Sequence, residues 1–245
     1  MNLLSTGIKK IDRAIGGGLL PDSNILIIHE TYSLGWIIGF EILQSRIKEG
    51  DYGVIMNTTL PLSSLEMELE QGGVDIDKLG KDRRLSIIDV FASIFKIDYG
   101  LGYVHYLSNF SAETFVPKYS QIYLRILKSE IGDRRPVGLD FTLDGLAFIM
   151  GEENTIKVFQ RFMALKEKSR IEENRKRPIN IFLLNRDRVS KNFVSWFSLY
   201  SHYVLESRIL EGSLEVIEVK KSPLVYTPGE KPLKIKKRRG RIDVV

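Results

Sequence analysis

The segment STGIKKIDRAIGGGLLPDSNILIIHE, residues 5–30, decides the fold of this 245-residue chain. Its apolar end, Asn24–His29, is short and follows a Pro-Asp-Ser turn, which is the pattern of a buried strand. The three glycines at 16–18 permit positive φ, so the backbone can follow a tight path into that strand. Asp12 is suited to cap a turn ahead of them. The segment therefore predicts a structured approach to the first strand of a buried sheet.

Strand-like and helix-like segments alternate beyond this point, which is typical of a mainly parallel sheet with helices on both faces. From residue 203 onward, short β segments separated by turn residues predict an antiparallel extension of the same sheet. Because no repeat or linker divides the chain, we predict one domain over 1–245, with 203–245 as its C-terminal β-hairpin extension. The further strands are expected at 52–57, 85–91, 137–141 and 179–184, and the helices at 35–47, 61–71, 119–127 and 153–173.

Composition excludes several classes of function. The chain has no cysteine and three scattered histidines, so neither disulfides nor a zinc site are expected, and we predict no bound metal. No apolar run approaches the ~18 residues of a membrane span, and no secretory signal begins the chain. The net charge of +5 comes from mixed charges spread along the sequence. We therefore expect a cytoplasmic protein without membrane partners.

The opening segment also resembles a known family. Ser5-Thr6-Gly7-Ile8, then Ile11-Asp12 and the glycines at 16–18, is similar to the start of the KaiC-like branch of RecA ATPases. The resemblance extends to 219–221, which resembles the strand beside a neighbouring subunit, and to a closing hairpin at 231–245. It implies a RecA-like fold, a tendency to form rings, and nucleotide held between subunits.

ATPases of that family place a phosphate loop after the first strand, with the pattern Gly, four residues, Gly, Lys, then Ser or Thr. The lysine contacts the β- and γ-phosphates and the hydroxyl binds magnesium. Here Trp36 and Ile37 replace both, at a cost of roughly 1.5 to 3 kcal/mol for the lost phosphate contact. Glu30 adds a negative charge where phosphate would approach. We interpret the loop as a degenerate phosphate site at Glu30, Ser33, Gly35, Trp36 and Ile37.

Two more positions bear on catalysis. Where related ATPases carry a glutamate pair before a proline, this chain has Asn57-Thr58-Thr59-Leu60-Pro61. Asp140, at the end of an apolar strand, resembles the magnesium-associated aspartate, and Asp144 is a less favoured substitute. The alternative is that Asp140 is a structural residue hydrogen-bonded to nearby backbone.

The space left by the lost motif has two possible uses. The helix amides at 35–38 would still favour an anion. Alternatively, Tyr32, Leu34 and Trp36 fold into the cavity and close it, which is the interpretation that we favour.

Two basic segments suggest nucleic-acid binding. Arg186, Arg188 and Lys191 precede Phe193 and Trp196, and such a loop faces the central channel in RecA-like rings. The aromatic residues also recur at helical spacing, so packing on the sheet explains them as well. The second segment is the C-terminal hairpin, where a solvated edge strand is the ordinary alternative. Its basic residues include Lys236, Lys237, Arg238 and Arg239.

These observations favour a non-hydrolytic, KaiC-like protein that acts by assembly as a regulatory or scaffolding subunit. It would form a homo-oligomer or a ring with an active relative, and we expect no cofactor and no catalytic residues. One alternative is a nucleic-acid-binding module. The other is a residual ATPase in which ATP and magnesium are bound with the help of Asp140.

Overall fold

The computed structural model describes residues 2–210, 214–225, 232–238 and 241–244. Within these residues no helix is long and apolar enough to cross a bilayer. The strands are β1 (Asn24–His29), β2 (Tyr52–Asn57), β3 (Leu85–Asp89), β4 (Val104–Tyr106), β5 (Pro136–Phe141), β6 (Ile179–Asn185), β7 (Tyr203–Leu210), β8 (Leu214–Lys221), β9 (Leu233–Arg238) and β10 (Arg241–Val244).

Helices cover the sheet on both faces. They are α1 (Lys9–Ala14), α2 (Ile37–Lys48), α3 (Leu62–Glu70), α4 (Ile76–Lys81), α5 (Val90–Phe95), α6 (Phe115–Ile126), α7 (Leu143–Met150), α8 (Glu152–Glu172) and α9 (Lys191–Tyr200). A π-helical turn, Leu127–Ile131, continues α6, and a 3-10 turn, Arg186–Arg188, follows β6.

The ten strands form one sheet in the order β10-β9-β8-β7-β1-β6-β5-β2-β3-β4. The strands from β7 to β4 in this order run parallel to their neighbours. The strands β8, β9 and β10 continue the sheet with antiparallel pairing. This confirms the predicted fold class: a mainly parallel α/β sheet with an antiparallel extension.

The core has two sides because the central strands are covered on both faces. On one side, α2, α3 and α4 pack on residues such as Ile27, Leu139 and Leu183. On the other side, α6, α7, α8 and α9 pack on alternate residues of the same strands, such as Leu26 and Val54. The C-terminal ends of β1, β5 and β6 meet at one edge, where ligands bind in open α/β sheets.

The opening segment holds its predicted conformation through Asp12. Its carboxylate accepts hydrogen bonds from the Thr6 amide (2.8 Å) and the Ser5 hydroxyl (2.6 Å), and its carbonyl accepts one from the Gly17 amide (2.6 Å). The glycines at 16–18 have φ values of 98°, 110° and 141°, which disfavour other residues. The phenol of Tyr203 joins the segment to β7, because it accepts from the Leu20 amide at 3.0 Å.

A buried ion cluster ties α2 to two strands. Arg46 donates to one carboxylate oxygen of Asp51 through Nε (2.8 Å) and Nη2 (2.6 Å). Arg135, just before β5, lies 3.8 Å from the other oxygen. The side chains of Arg46 and Asp51 are 7% and 9% exposed, so loss of the carboxylate would leave two guanidinium groups without a buried counterion.

We expect Asp51→Ala to lower the free energy of unfolding by about 3 kcal/mol, because breaking a buried ion pair leaves its partner charge uncompensated. Urea denaturation followed by circular dichroism measures this loss. Glu153→Ala is the control, since it removes an exposed ion pair with Lys157 and should leave the denaturation midpoint nearly unchanged. Equal effects of the two variants would contradict a structural role for the cluster.

Candidate functional site

The loop at 30–37 joins β1 to α2 and lies against the antiparallel extension. The Glu215 side chain reaches it from β8, and this residue is only 7% exposed. Its Oε1 accepts hydrogen bonds from the Leu34 amide (2.7 Å), the Ser207 hydroxyl (2.7 Å) and the Ser33 hydroxyl. A carboxylate of the chain itself thus binds donors of the loop in which the family resemblance places phosphate.

A second carboxylate holds the first turn of the loop. Asp187, in the 3-10 turn after β6, accepts from the Thr31 amide at 2.8 Å and from its hydroxyl at 2.9 Å. The Thr31 amide is the main reason that the pKa of Asp187 lies below its usual range. The negative charge is therefore stabilised by a backbone donor, as an anion at a phosphate loop would be.

The amides at the start of α2 are used within the chain. The Gly35 amide donates to the Ser33 hydroxyl at 2.9 Å, the Ile37 amide to the Leu34 carbonyl at 3.0 Å and the Ile38 amide to the Gly35 carbonyl at 3.2 Å. Glu30 is also engaged, because its carboxylate accepts from the Ile209 amide at 3.0 Å. These contacts leave few donors for an external anion.

Gly35, the one residue that matches the phosphate-loop pattern, has a packing role here. A Cβ atom at this position would overlap the side chain of Ser207 on β7. The glycine therefore allows the start of α2 to approach the sheet closely.

Aromatic rings fill the region between the loop and the end of β5. Trp36 meets Phe40 edge-on with ring centroids 5.0 Å apart, and Phe40 lies 5.8 Å from Phe141. Leu34 and Trp36 pack on the core, in agreement with the proposed filling of the cavity. That prediction is wrong for Tyr32, which is 88% exposed because the loop is held on either side of it by Asp187 and Glu215.

The structure does not bring Asp140 to this loop. On β5, Leu139 and Phe141 face α2, whereas Asp140 faces the opposite side of the sheet among residues of α6 and α8. The strand-end side chain on the α2 face is therefore the ring of Phe141. Nor does Asp140 match the structural alternative, because its buried Oδ1 has no hydrogen-bond partner within the described part of the chain.

Asp144, unlike Asp140, lies beside the ends of β1 and β6. Its side chain is 1% exposed, and its carboxylate accepts from the Asn185 amide at 3.0 Å and from Arg188 at 3.3 Å. His29, the last residue of β1, is also buried, and this burial lowers its pKa despite the nearby carboxylate of Asp144. The carboxylate of Asp144 is thus bound by groups of the chain itself, whereas a magnesium ligand would need a free oxygen.

Polar side chains at the end of β2 are also hydrogen-bonded within the chain. The Asn57 amide group donates to Asp89 (3.1 Å) and to the Leu60 carbonyl (2.7 Å). The Thr58 hydroxyl donates to the carbonyls of Phe141 and Thr142 at 2.9 and 3.0 Å. These side chains fix the strand ends to one another and supply no carboxylate that faces the loop.

The basic loop after β6 is largely neutralised. Arg186 pairs with Glu206, and Arg188 with Asp144. Phe193 is fully buried, so it packs as the helical spacing indicates and is not available to stack on a base. Lys191 is exposed, and Trp196 is 38% exposed.

Two lysines among the described residues of the C-terminal hairpin are exposed. On β9, Lys234 and Lys236 are exposed on either side of the buried Ile235. Lys237 and Arg238 belong to the same strand, whereas Arg239 lies outside the described residues. Lys220, by contrast, is bound to Glu206 and Glu218 within its own sheet.

Solved structures from Pyrococcus horikoshii are similar in fold to this chain. KaiC-like protein PH0186 from Pyrococcus horikoshii OT3 is 14% identical and has a TM-score of 0.69, with 100% of this chain and 99% of that chain covered. The chain has a RecA-like fold. Uncharacterized protein PH0321 from Pyrococcus horikoshii, solved in complex with an unknown peptide, is 23% identical and has a TM-score of 0.83 over 99% of this chain and 98% of that chain. No family model and no curated protein matches the sequence.

The contacts of the Glu215 and Asp187 carboxylates with the loop after β1 were not predicted from the sequence. Glu215 and Asp187 lie 181 and 156 residues from their backbone partners in the loop. A glutamate within a β segment carries no local sign of burial, since most glutamates are exposed. Only the register of β7 and β8 reveals that this one faces inward.

Glu215→Ala should destabilise the protein by about 2 kcal/mol, because two buried hydroxyls and the Leu34 amide lose their acceptor. Thermal or urea unfolding measures the change. Glu218→Ala, on the same strand, should cost less, since its side chain is 25% exposed. A larger loss for Glu218→Ala than for Glu215→Ala would contradict the assigned role.

Proposed function

We propose that this chain is a non-hydrolytic RecA-like protein that acts by assembly, as a regulatory or scaffolding subunit. It would form a homo-oligomer or a ring with an active relative. The observation that carries this proposal is the occupation of the loop donors by Glu215. A triphosphate placed there would meet a buried carboxylate in place of a lysine, and like charges in a buried site repel strongly.

The residues present do not fit ATP with magnesium. Trp36 and Ile37 supply neither a cation nor a metal ligand, and Phe141 stands where a carboxylate facing the loop would be needed. The residual-ATPase alternative therefore has little support from the geometry, and we propose no catalytic step. The likeness to PH0321, whose structure includes an unknown peptide, is compatible with action through protein contacts.

Calorimetric titration tests the nucleotide part of the proposal. We expect no saturable heat when magnesium and a non-hydrolysable ATP analogue are added to micromolar protein, because the loop lacks the cation that offsets the phosphate charge. The control is an ATP-binding member of the family titrated under the same conditions. Saturation at micromolar analogue would overturn the proposal.

Sedimentation velocity of the same protein samples tests whether the chain forms oligomers. Sedimentation velocity should show a species larger than the monomer, with the same distribution in the presence and absence of ATP and magnesium. A monomer at every concentration, alone and mixed with an active relative, would remove the scaffolding function.

Nucleic-acid binding remains a second candidate because of the exposed lysines of β9. Since Arg186 and Arg188 are paired with carboxylates, the hairpin is the better location for phosphate contacts.

If the hairpin binds single-stranded DNA, fluorescence anisotropy should show an affinity that falls steeply with salt, and Lys234→Glu/Lys236→Glu should abolish it. Lys9→Glu/Lys10→Glu is the matched control, because both lysines are exposed on α1 and the change in net charge is the same. Salt-insensitive binding, or equal losses in both double variants, would count against a hairpin site.

A further inference from the structure

A cavity of about 450 Å³ lies between the sheet and the two helices α6 and α8. It occupies the face opposite α2, so it is separate from the loop at 30–37. Its volume falls within the range of small-molecule sites in proteins. Gly138 contributes to the space, because it lies two residues before Asp140 on the same face of β5 and has no side chain.

Asp140 is a buried acidic residue in the lining of this cavity. It is 7% exposed, and its Oδ1 has no hydrogen-bond partner among the described residues. An unpartnered buried carboxyl group is costly, so such a group calls for an explanation in terms of function. Burial is the main cause of a pKa for Asp140 well above the usual range, and the nearby carboxylate of Asp144 raises it further.

Aromatic rings make up much of the cavity wall. Tyr119 and Tyr123 on α6 stack with centroids 6.3 Å apart, and Phe162 on α8 meets Tyr119 edge-on at 5.0 Å. Phe159 and Phe182 lie 5.1 Å apart on another part of the wall. Burial raises the pKa of Tyr123 to about 12, and it is also the main cause of the raised pKa of Tyr119.

The charged groups around the cavity are mostly paired with one another. Lys166 of α8 is held by Asp22, 3.2 Å away, and by the side chain of Asn24. Near the end of α8, Lys168 lies 3.8 Å from Glu172, and Arg175 lies 2.6 Å from Glu173. None of these cations forms an ion pair with Asp140 among the described residues. The lining also includes Lys176 and Arg177.

We propose that this cavity binds an apolar amine, with its ammonium group on Asp140 and its hydrocarbon body against the aromatic wall. A cation satisfies the buried carboxylate with a charge-assisted hydrogen bond, which is about twice as strong as a neutral one. The faces of the surrounding rings attract a cation as well. A wholly apolar molecule would fill the same volume but leave the carboxyl group without a partner.

An ammonium ion favours the ionised form of Asp140. Where the acid is protonated in the free protein, its proton passes to water as the ligand enters, and the resulting carboxylate pairs with the ammonium group. Because burial raises the pKa of Asp140, affinity should rise as the pH rises through that pKa, until the amine itself loses its charge.

Octylamine, octan-1-ol and octanoate are suitable probes, because they share a chain and differ in head group. In calorimetric titrations of the wild-type protein, octylamine should bind about ten-fold more tightly than either analogue, and its affinity should rise with pH across the titration of Asp140. Octanol should show no such pH dependence. This comparison needs no variant, and the proposal does not rest on the nucleotide question.

Asp140→Asn should reduce octylamine affinity to that of octanol. Asp89→Asn is the control, since this buried aspartate ends β3, a parallel strand of the same sheet, and lies outside the cavity. It should leave octylamine binding unchanged even where it lowers stability by weakening the cap of α5.

Several outcomes would overturn the proposal. Equal affinity for octylamine and octanol would indicate a purely apolar site, and a preference for octanoate would indicate an anionic occupant. Retained octylamine binding in Asp140→Asn would remove the carboxylate from recognition. No heat from any probe up to millimolar concentration would show that the cavity is not a binding site for these amphiphiles.

Discussion

The hydrogen bonds of Glu215 link the loop after β1 to the start of the antiparallel extension. They join the loop after β1 to β7 and β8, which follow it by more than 170 residues. The close approach of Gly35 to Ser207 depends on the same contact. One buried carboxylate thus satisfies donors at the start of α2 and anchors the antiparallel extension to the parallel sheet. The loop in which the family resemblance places phosphate is a structural junction in this chain.

Local sequence patterns were sufficient for much of this architecture. The bounds of β1 and β2 agree with prediction because both are short apolar runs between turns, and the glycines before β1 have the positive φ expected of them. The third strand was predicted to extend to residue 91, but it ends at Asp89, whose carboxylate accepts from the Ala92 amide and begins α5. The short helices α4 and α7 were not predicted, since each is too brief to show a clear helical period.

The candidate sites depended on information that spacing does not contain. From the sequence, Asp140 stood at the end of a strand, as the magnesium-associated aspartate of the family does. Side chains alternate between the two faces of a strand, so a shift of one residue decides which face a carboxylate serves. Here Phe141 faces α2, and Asp140 faces α6 and α8. A single sequence could not assign the face on which Asp140 lies.

The two faces of the sheet therefore contain acidic groups in different states. Beside the loop, Glu215 and Asp187 bind backbone amides, and those bonds stabilise the chain. Across the sheet, Asp140 Oδ1 has no hydrogen-bond partner among the described residues, and burial of such a group raises the free energy of the folded state. An apolar residue of similar size would relieve that cost. Because stability alone gives no reason for a carboxyl group at this position, the cavity is a candidate binding site separate from the loop in which the family resemblance places phosphate.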